Sequence, residues 1–396
     1  ITYFTDKFIH INLKTNLSLC ITLSLLLKLN NIMNISLIGY NLTNFIIALE
    51  LIKKGFVVDI LYENISKKTN TNRTIGISKN NFEFLGSNIK KISNYSWPIT
   101  KIQIFNQRNK FDESLVFSNE NKKNFFLIKY TNLFNLLEKI CKKSKKISFK
   151  IVTNSVIENL AINNKYNLVI NSENKNILTK KYFNKIIEKD YNSSAFTGIL
   201  HHYKIDNNTA TQIFTKYGPL AFLPLSETKT SIVYSVEKKH HLKLEDIKTM
   251  ILEFNKFYQI KKLDELEKFD LNFSFSRNIL YKNILFFGDP THKIHPLAGQ
   301  GFNMTLRDIK ILNKLIDEKI SCGLEINQSL LIDFKNKIQH FNFIFATGIN
   351  LINEFFLLDN KLDSEISKNL FKILNRNKIF KKYSTVFADK GINIHY

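Results

Sequence analysis

Residues 288–307, which read GDPTHKIHPLAGQGFNMTLR, contain the most informative pattern in this 396-residue chain. It holds three of the 12 glycines and two of the five prolines. An apolar run precedes it and apolar residues recur at helical spacing after it, so the pattern predicts strand, tight loop and helix. Glycine lets a backbone approach a ligand closely, and a new helix offers unpaired N–H groups. The stretch therefore predicts a binding site for an anionic or electron-rich ligand.

A second glycine loop lies between an apolar strand at residues 35–38 and a helical pattern that ends at Gly55. A further strand is predicted at residues 56–62, which completes a βαβ unit. The loop reads GYNLTN where a dinucleotide-binding fold places GxGxxG, but only Gly39 is kept. Asn41 and Asn44 stand at the other two glycine positions, and Asn41 tolerates left-handed dihedrals.

The rest of the chain predicts a second sheet and several helices. Short strands separated by polar turns between residues 191 and 236 predict an antiparallel sheet. Apolar periodicity predicts helices at residues 131–140, 244–266 and 333–358. Residues 166–170 and 185–187 are predicted strands of the nucleotide-binding domain.

The net charge of +23 comes from basic residues spread in pairs along the chain, without a run of five. Lysine, asparagine, isoleucine and phenylalanine are frequent while glycine, proline and tryptophan are scarce, as an A/T-rich coding sequence would produce. Without a nucleic-acid-binding motif, this composition favours no nucleic-acid partner. A weak attraction to an anionic membrane surface is compatible with it.

Metal and disulfide chemistry are not indicated by the cysteines and histidines. The three cysteines, Cys20, Cys141 and Cys322, are far apart and lack CxxC spacing, which favours a reducing compartment. His292 and His295 have a spacing compatible with metal ligation, but Lys293 lies between them in a ligand-binding loop, so no metal is expected.

Residues 1–32 differ from the rest of the chain. Their apolar run, residues 17–29, is shorter than the roughly 20 residues of a membrane span. A signal peptide is one reading, but no small-residue cleavage site follows. We expect Met33 to be the physiological start, with residues 1–32 a non-native or dispensable leader.

The 288–307 stretch resembles GDAAHxxxPxAGQGxNxxxxD, the signature of the FAD-dependent hydroxylases of ubiquinone biosynthesis, which are para-hydroxybenzoate hydroxylase-like monooxygenases. The matching residues are Gly288, Asp289, His292, Pro296, Ala298, Gly299, Gln300, Gly301, Asn303 and Asp308. A second match covers residues 191–233 and includes GPLAFLPL, and a third, weaker match is RTIGISKNNFEFLG, residues 73–86. The resemblance extends from Met33 to about Leu358.

The resemblance implies an α/β fold, with a Rossmann-like FAD/NAD(P)-binding domain, an inserted antiparallel-sheet substrate domain and a helical C-terminus. The expected boundaries are 33–98, 126–190 and 278–350 for the FAD-binding domain, 99–125 and 191–277 for the substrate domain, and 351–396 for the C-terminal helical segment.

Roles are implied for individual residues as well. The residues expected to contact the flavin ring, and so to take part in catalysis, are Pro296, Gly299, Gln300 and Gly301. Those expected to bind FAD are Gly39, Asn41, Asn44, Glu63, Arg73, Gly288, Asp289, Ala298, Gly299, Gly301 and Asn303; Glu63 would bind the ribose and Asp289 the ribityl chain. Pro219, Leu220, Phe222 and Pro224 would line the substrate pocket, unless this block is only a structural turn.

The implied reaction uses NAD(P)H to reduce FAD, O2 to form a flavin C4a-hydroperoxide, and transfers oxygen to a polyprenylated phenol. The implied location is cytoplasmic, peripheral to the inner face of the inner membrane, with a ubiquinone-biosynthesis complex as partner. Two alternatives stay open: a hydroxylase of a small soluble phenol, and a non-catalytic or weakly FAD-binding structural member of a quinone-biosynthesis complex.

Three departures from the family pattern motivate the second alternative. The loop from Gly39 has lost two glycines. The Asp-Gly pair of the family's second nucleotide motif is replaced by Glu173 and Asn174, and Tyr130 stands where the family usually has an arginine facing the flavin. The phosphate end of the site is therefore expected to bind FAD less tightly.

Overall fold

The computed structural model of the protein describes residues 34–63, 72–107, 114–118, 123, 125–160, 163, 165–361 and 366–391. The predicted leader, residues 1–32, lies outside the described residues.

The strands are β1 Asn34–Ile38, β2 Val57–Tyr62, β3 Thr74–Ser78, β4 Ser96–Ile99, β5 Lys101–Asn106, β6 Ser114–Ser118, β7 Phe125–Lys129, β8 Ile147–Ile151, β9 Leu168–Asn171, β10 Ile186–His202, β11 Thr209–Thr215, β12 Gly218–Ser226, β13 Lys229–Glu237, β14 Ile260–Leu263, β15 Glu267–Ser276, β16 Leu280–Tyr281, β17 Ile284–Phe286 and β18 His292–Lys293. The helices are α1 Leu42–Lys53, α2 Lys79–Asn88, α3 Tyr130–Lys143, α4 Asn154–Asn159, α5 Ile177–Tyr182, α6 Leu244–Phe254, α7 Gln300–Ser321, α8 Gln328–Lys361, α9 Ile366–Arg376 and α10 Lys378–Lys390.

A six-stranded sheet in the order β16-β17-β9-β1-β2-β8 forms the nucleotide-binding half of the molecule. Its strands pair in parallel except β16 with β17. The central strands consist mainly of buried aliphatic residues, because helices α1, α3 and α7 and the start of α8 pack against the sheet. This confirms the predicted Rossmann-like fold. A small antiparallel sheet, β3-β7-β4, lies beside it.

The second large sheet has nine strands, with the path β18-β15-β10-β13-β12-β11-β5-β6 and β14 paired to β10. It is antiparallel except for the β11–β5 pair, as expected for the inserted sheet. Residues 185–187, predicted as a strand of the nucleotide-binding half, instead begin β10 of this sheet. The predicted helix at residues 244–266 ends at Phe254, and β14 and the start of β15 follow.

The C-terminal region is helical, as predicted. Helix α8 is 34 residues long and packs Phe345, Ala346 and Phe356 against the nine-stranded sheet together with α9 and α10. Within the described residues, α8 is the one helix that is long and apolar enough to cross a membrane by length and composition. That criterion is also met by core helices of soluble proteins and by signal sequences, and 28% of the apolar window of α8 is buried.

Candidate functional site

The loop between β17 and α7 brings the family-like residues together. Gly288 has a φ of +79°, and a Cβ there would lie 2.9 Å from the Thr43 side chain in the first turn of α1. Gly299, with a φ of +62°, precedes α7, and a Cβ there would lie 3.3 Å from the backbone nitrogen of Gly76. Both positions therefore require glycine, because a side chain would be strained and would push apart packed elements.

The N-terminus of α7 has no side-chain cap. Its N-cap, Gly299, has no side chain to accept hydrogen bonds from the first helical amides. Gln300 is 3% exposed, and its Oε1 has no hydrogen-bond partner among the described residues. A helix start with free amides carries a partial positive charge, so it favours a negatively charged or electron-rich group.

Asn303 ties this loop to strand β3. Its Oδ1 accepts from Ser78 N at 3.0 Å and from Asn81 Nδ2 at 2.9 Å. Its Nδ2 donates to Gly76 O at 2.9 Å and to Gly299 O at 3.1 Å. The side chain is fully buried, so these bonds hold the loop and β3 in one geometry. Asn81 was not predicted, since neither spacing nor residue type marks it in the sequence.

Asp289 follows in the same loop with a carboxylate that is 47% exposed. Its Oδ1 accepts from Thr305 Oγ1 at 2.9 Å, and its Oδ2 lies 3.9 Å from an Arg73 nitrogen. Arg73 in turn lies over the Tyr130 ring, 5.5 Å from its centroid. Burial raises the pKa of Tyr130, so the phenol stays neutral. Sequence positions 73, 130 and 289 thus form one polar cluster, which only the fold brings together.

The loop after β1 differs from this arrangement, because an asparagine side chain of the loop caps the helix that follows it. Asn41 is the N-cap of α1, and its Oδ1 accepts from Asn44 N at 3.1 Å. Asn41 Nδ2 also donates to Ser172 Oγ at 2.9 Å. Asn44 is fully buried and donates to Ile38 O and Gly39 O. The two asparagines therefore preserve the turn but cap the helix internally.

Glu63 lies directly after β2, at the carboxyl end of the parallel strands, as predicted. It lines an open groove of about 550 Å³ with Ile151, Val152 and Thr153. Glu173, after β9, is close enough for the two charges to interact. Burial raises the pKa of Glu173 and the charge of Glu63 raises it further, against a lowering by the Asn174 amide. This end of the site is therefore acidic.

The predicted pocket residues of β12 point to two different faces of the sheet. Leu220 and Phe222 are fully buried and pack with Ile213 and Tyr234 in the closed core under α6. This corrects the expectation that they line a cavity, and the reason is the two-residue alternation of a strand. Pro224 is also buried and has the same parity.

Pro219, Ala221 and Leu223 alternate with those residues, so they lie on the opposite face of β12. Leu223 packs there against Leu127 and Phe125 of β7. The Phe125 ring lies over Gly76, where a Cβ would be 2.3 Å from a ring carbon. This face of the sheet is thereby connected to the Gly299 loop, and Phe125 is a neighbour that sequence reasoning missed.

The loop histidines are held by protein groups. His292 Nε2 lies 3.3 Å from Asp308 Oδ2, and Asn342 donates to the same carboxylate. His295 is 2% exposed, its ring packs edge-on to Tyr191, and burial lowers its pKa to about 3. Among the described residues, no group of three or more His, Cys, Asp or Glu side chains is arranged to hold a metal ion.

Comparison with known protein families gives no match to a family model. Individual curated proteins do match. "Ubiquinone biosynthesis monooxygenase COQ6, mitochondrial" of Danio rerio is 24% identical over 212 residues, which are 43% of this chain and 44% of that protein. "Ubiquinone hydroxylase UbiM" of Neisseria meningitidis is 27% identical over 156 residues, 37% of this chain and 34% of the relative. The matched regions span less than half the length of these relatives, and they confirm the resemblance recognised in the sequence.

Solved structures with the same fold cover more of the chain. p-Nitrophenol 4-monooxygenase PnpA from Pseudomonas putida aligns with a TM-score of 0.70 at 10% identity, over 90% of this chain and 98% of that one. PqsL, a probable FAD-dependent monooxygenase from Pseudomonas aeruginosa, aligns with a TM-score of 0.67 at 11% identity, over 83% and 97%. At such identities the alignments establish the shared fold.

Proposed function

We propose that this protein is an FAD-dependent monooxygenase that hydroxylates a polyprenylated phenol in ubiquinone biosynthesis, with NAD(P)H and O2 as co-substrates. The observation that carries the proposal is the N-terminus of α7, which has no side-chain cap behind Gly299 and lies next to the half-exposed carboxylate of Asp289. The names of the matched relatives and the shared fold support the same reaction class.

We call the loop of residues 288–303, where the flavin ring is expected, the ring end of the site. Its residues fit a flavin. The first amides of α7, which no side chain caps, and the unpaired Gln300 Oε1 offer donors and an acceptor to a ring whose edge carries both kinds of polar group. Asp289 offers carboxylate oxygens to hydroxyl groups of a ribityl chain. Pro296 and Ala298 belong to the same loop and are assigned to the ring contact with Gly299.

The phosphate end fits FAD less well. A pyrophosphate at the start of α1 has the Leu42 and Thr43 amides available by helix geometry, but the Asn44 amide is already bonded to Asn41. Glu63 suits a ribose hydroxyl, whereas its neighbour Glu173 repels phosphate. Arg73 is the nearest described cation to Asp289 and is assigned to the phosphates. We therefore expect measurable but weakened FAD binding.

When bound and reduced, FAD supplies the activated oxygen for hydroxylation, and the protein orients the substrate and excludes water. The α7 N-terminus stabilises negative charge at the adjacent end of the ring. Leu223 and Phe125 belong to one apolar cluster, and Phe125 lies over Gly76 next to the Gly299 loop; this surface suits the ring and the first part of a prenyl chain. The assignment of Pro219 to the substrate pocket stays a prediction.

The surface of the C-terminal helices supports a weak association with the inner face of a membrane. Apolar side chains on them are exposed, including Leu351 at 58%, Ile373 at 64% and Ile379 at 68%. Helix α10, which carries Ile379, also contains four lysines, and basic groups near an anionic surface each contribute about 1 kcal/mol. Cosedimentation with anionic but not with zwitterionic vesicles is the expected result; equal recovery with both would argue against this part of the proposal.

The proposed function is tested by the visible absorption spectrum of the purified full chain after incubation with excess FAD and removal of the free cofactor. A flavin spectrum, with substrate-stimulated NAD(P)H oxidation and a product heavier by one oxygen atom, is expected. A chain that is folded by circular dichroism but retains no flavin at any concentration would contradict the proposal.

The second candidate is a non-catalytic structural member of a quinone-biosynthesis complex, and the internally capped loop at Asn41 favours it. The two functions differ in one experiment. The native chain and a variant lacking the Asp289 carboxylate are compared for complementation of a strain that lacks this protein. An enzyme loses complementation with the carboxylate, whereas a structural member keeps it.

A further inference from the structure

The helix α2 receives its N-terminal cap from the far end of the chain. Its own N-cap residue, Ser78, makes no side-chain hydrogen bond to the helix. Instead Asp389 Oδ1, more than 300 residues away, accepts from Asn80 N at 3.0 Å. A carboxylate at a helix N-terminus satisfies an otherwise unpaired amide and interacts favourably with the helix dipole.

Helix α10, which carries Asp389, is held in place by contacts of its own. Phe387 stacks on Phe345 with ring centroids 4.8 Å apart. Arg307 of α7 donates from Nη1 to Ala388 O at 3.3 Å, and Gly391 lies against the same guanidinium. Burial lowers the pKa of Arg307 to about 10, while the charges of Asp308 and Asp389 favour its cationic form. Asp389 is thereby fixed relative to α7.

From Asn80 a short path leads to the ring-end loop. Ser78 and Asn81, on either side of Asn80, both donate to Asn303 Oδ1. Asn303 Nδ2 then donates to Gly299 O, the N-cap of α7. The Asp389 carboxylate and Asn303 therefore both hold the four-residue segment 78–81, which is the junction of β3 and α2.

We propose that Asp389 is a positioning residue: by capping α2 it fixes the β3–α2 junction and, through Asn303, the conformation of the Gly299 loop. The C-terminal helix α10 is thus a clamp on the ligand-binding loop. The expected effect of Asp389 on flavin binding rests on the proposed function. The expected effect of Asp389 on the conformation of the Gly299 loop does not.

The test uses the full chain with the substitutions Asp389→Ala and Asp389→Asn. The matched control is Asp246→Ala, because Asp246 Oδ2 likewise accepts from a backbone amide, Lys243 N at 2.8 Å, at the start of α6 in the other half of the molecule. Amide hydrogen exchange is measured without added flavin, and FAD affinity is measured separately by flavin fluorescence.

Loss of one helix cap should speed exchange at residues 78–81 and also at residues 299–303 by about fivefold in Asp389→Ala, with a similar loss of FAD affinity. Asp389→Asn keeps an acceptor oxygen and should stay within about twofold of the native chain. Asp246→Ala should alter exchange only at the start of α6 and leave FAD affinity unchanged.

Faster exchange confined to residues 79–81, or an equal change at residues 299–303 in the Asp246→Ala control, would overturn the proposal. Absence of flavin binding in all variants, with the exchange result as expected, would count against the proposed function and leave the clamp intact.

Discussion

Two loops of this protein precede helices at the carboxyl ends of parallel strands, yet they solve the same problem differently. The loop before α7 keeps Gly299 at its N-cap and leaves the first helical amides without a side-chain partner. The loop before α1 has Asn41 at its N-cap, and this side chain bonds the Asn44 amide. The first loop has retained its capacity for a ligand, whereas the second has been stabilised as protein structure.

The comparison teaches that losing glycines does not destroy such a turn. An asparagine cap typically contributes about 1 kcal/mol to a helix, and the same side chain removes one donor from an incoming phosphate. Stability and affinity therefore change in opposite directions at the phosphate end. Substitutions in the two loops should separate these effects.

The largest effect is expected for Asn303→Ala, which removes four buried hydrogen bonds at the ring end. The free energy of unfolding should fall by about 3 kcal/mol, and retained FAD should fall at least in proportion. Denaturant unfolding and flavin absorbance measure the two quantities. Asn207→Ala is the control, since Asn207 is equally buried and bonds Ser226 O and Thr230 in the other half of the molecule. Equal loss of flavin in both variants would show that the Asn303 hydrogen bonds have no specific role in FAD binding.

The next effect is expected for Asp289→Asn. The amide can still accept from Thr305, but it lacks the charge that strengthens hydrogen bonds to hydroxyl groups, so FAD affinity should fall about tenfold with little change in stability. Fluorescence titration measures the affinity. Asp270→Asn, at an exposed carboxylate paired with Lys238, should leave it unchanged. An unchanged affinity in Asp289→Asn would place the ligand elsewhere.

Restoring the second glycine should give a smaller effect of opposite sign. Asn41→Gly frees the Asn44 amide and loses the bond to Ser172, so FAD affinity should rise about threefold while the unfolding free energy falls by about 1 kcal/mol. The same titration and denaturant curves measure both. If FAD affinity rises without a loss of stability, or stability falls without a gain in affinity, the helix cap and FAD do not compete for the Asn44 amide.

The smallest expected effect is a pH dependence of stability caused by Lys310. Its Nζ donates to Asn80 Oδ1 at the start of α2. Burial lowers its pKa from 10.5 to about 8. Above pH 8 the folded protein has lost this proton while the unfolded chain still binds it, so this residue makes stability rise with pH until about pH 10. A lowering of the pKa from 10.5 to about 8 corresponds to at most about 3 kcal/mol, and solvent screening at this partly exposed amine reduces the expected gain to about 1 kcal/mol. The gain should be absent in Lys310→Gln. Unfolding curves at several pH values compare the two; parallel pH profiles would show that the amine is not desolvated.

Local sequence patterns predicted many of the strands and helices, because these patterns act over only a few residues. Apolar strands next to glycine loops predicted β1, α1, β2 and the strand–loop–helix around Gly299, and each lies where expected. Residues 185–187 and 244–266 were assigned to other elements, since a short apolar run does not tell which sheet it joins or whether a helix ends within it.

The roles of side chains could likewise be predicted within a local motif but not between distant elements. The residues of the 288–303 loop are adjacent in sequence and stay adjacent in space. Leu220 and Phe222 were expected in a pocket but face the core under α6, because a motif does not state which face of its strand is open. The position of Phe125 beside Leu223 depends on the packing of the small sheet on β12, which no local sequence pattern indicates.

The amino-acid sequence by itself determined the order of elements, the glycine positions at the ring end and the loss of glycines at the phosphate end. Only the tertiary structure decided that Asn41 caps its own helix, that Arg73, Tyr130 and Asp289 meet, and that Asp389 caps α2. The physical reason is range: dihedral preference and periodicity act within a few residues, whereas hydrogen bonds between distant residues depend on how whole layers pack.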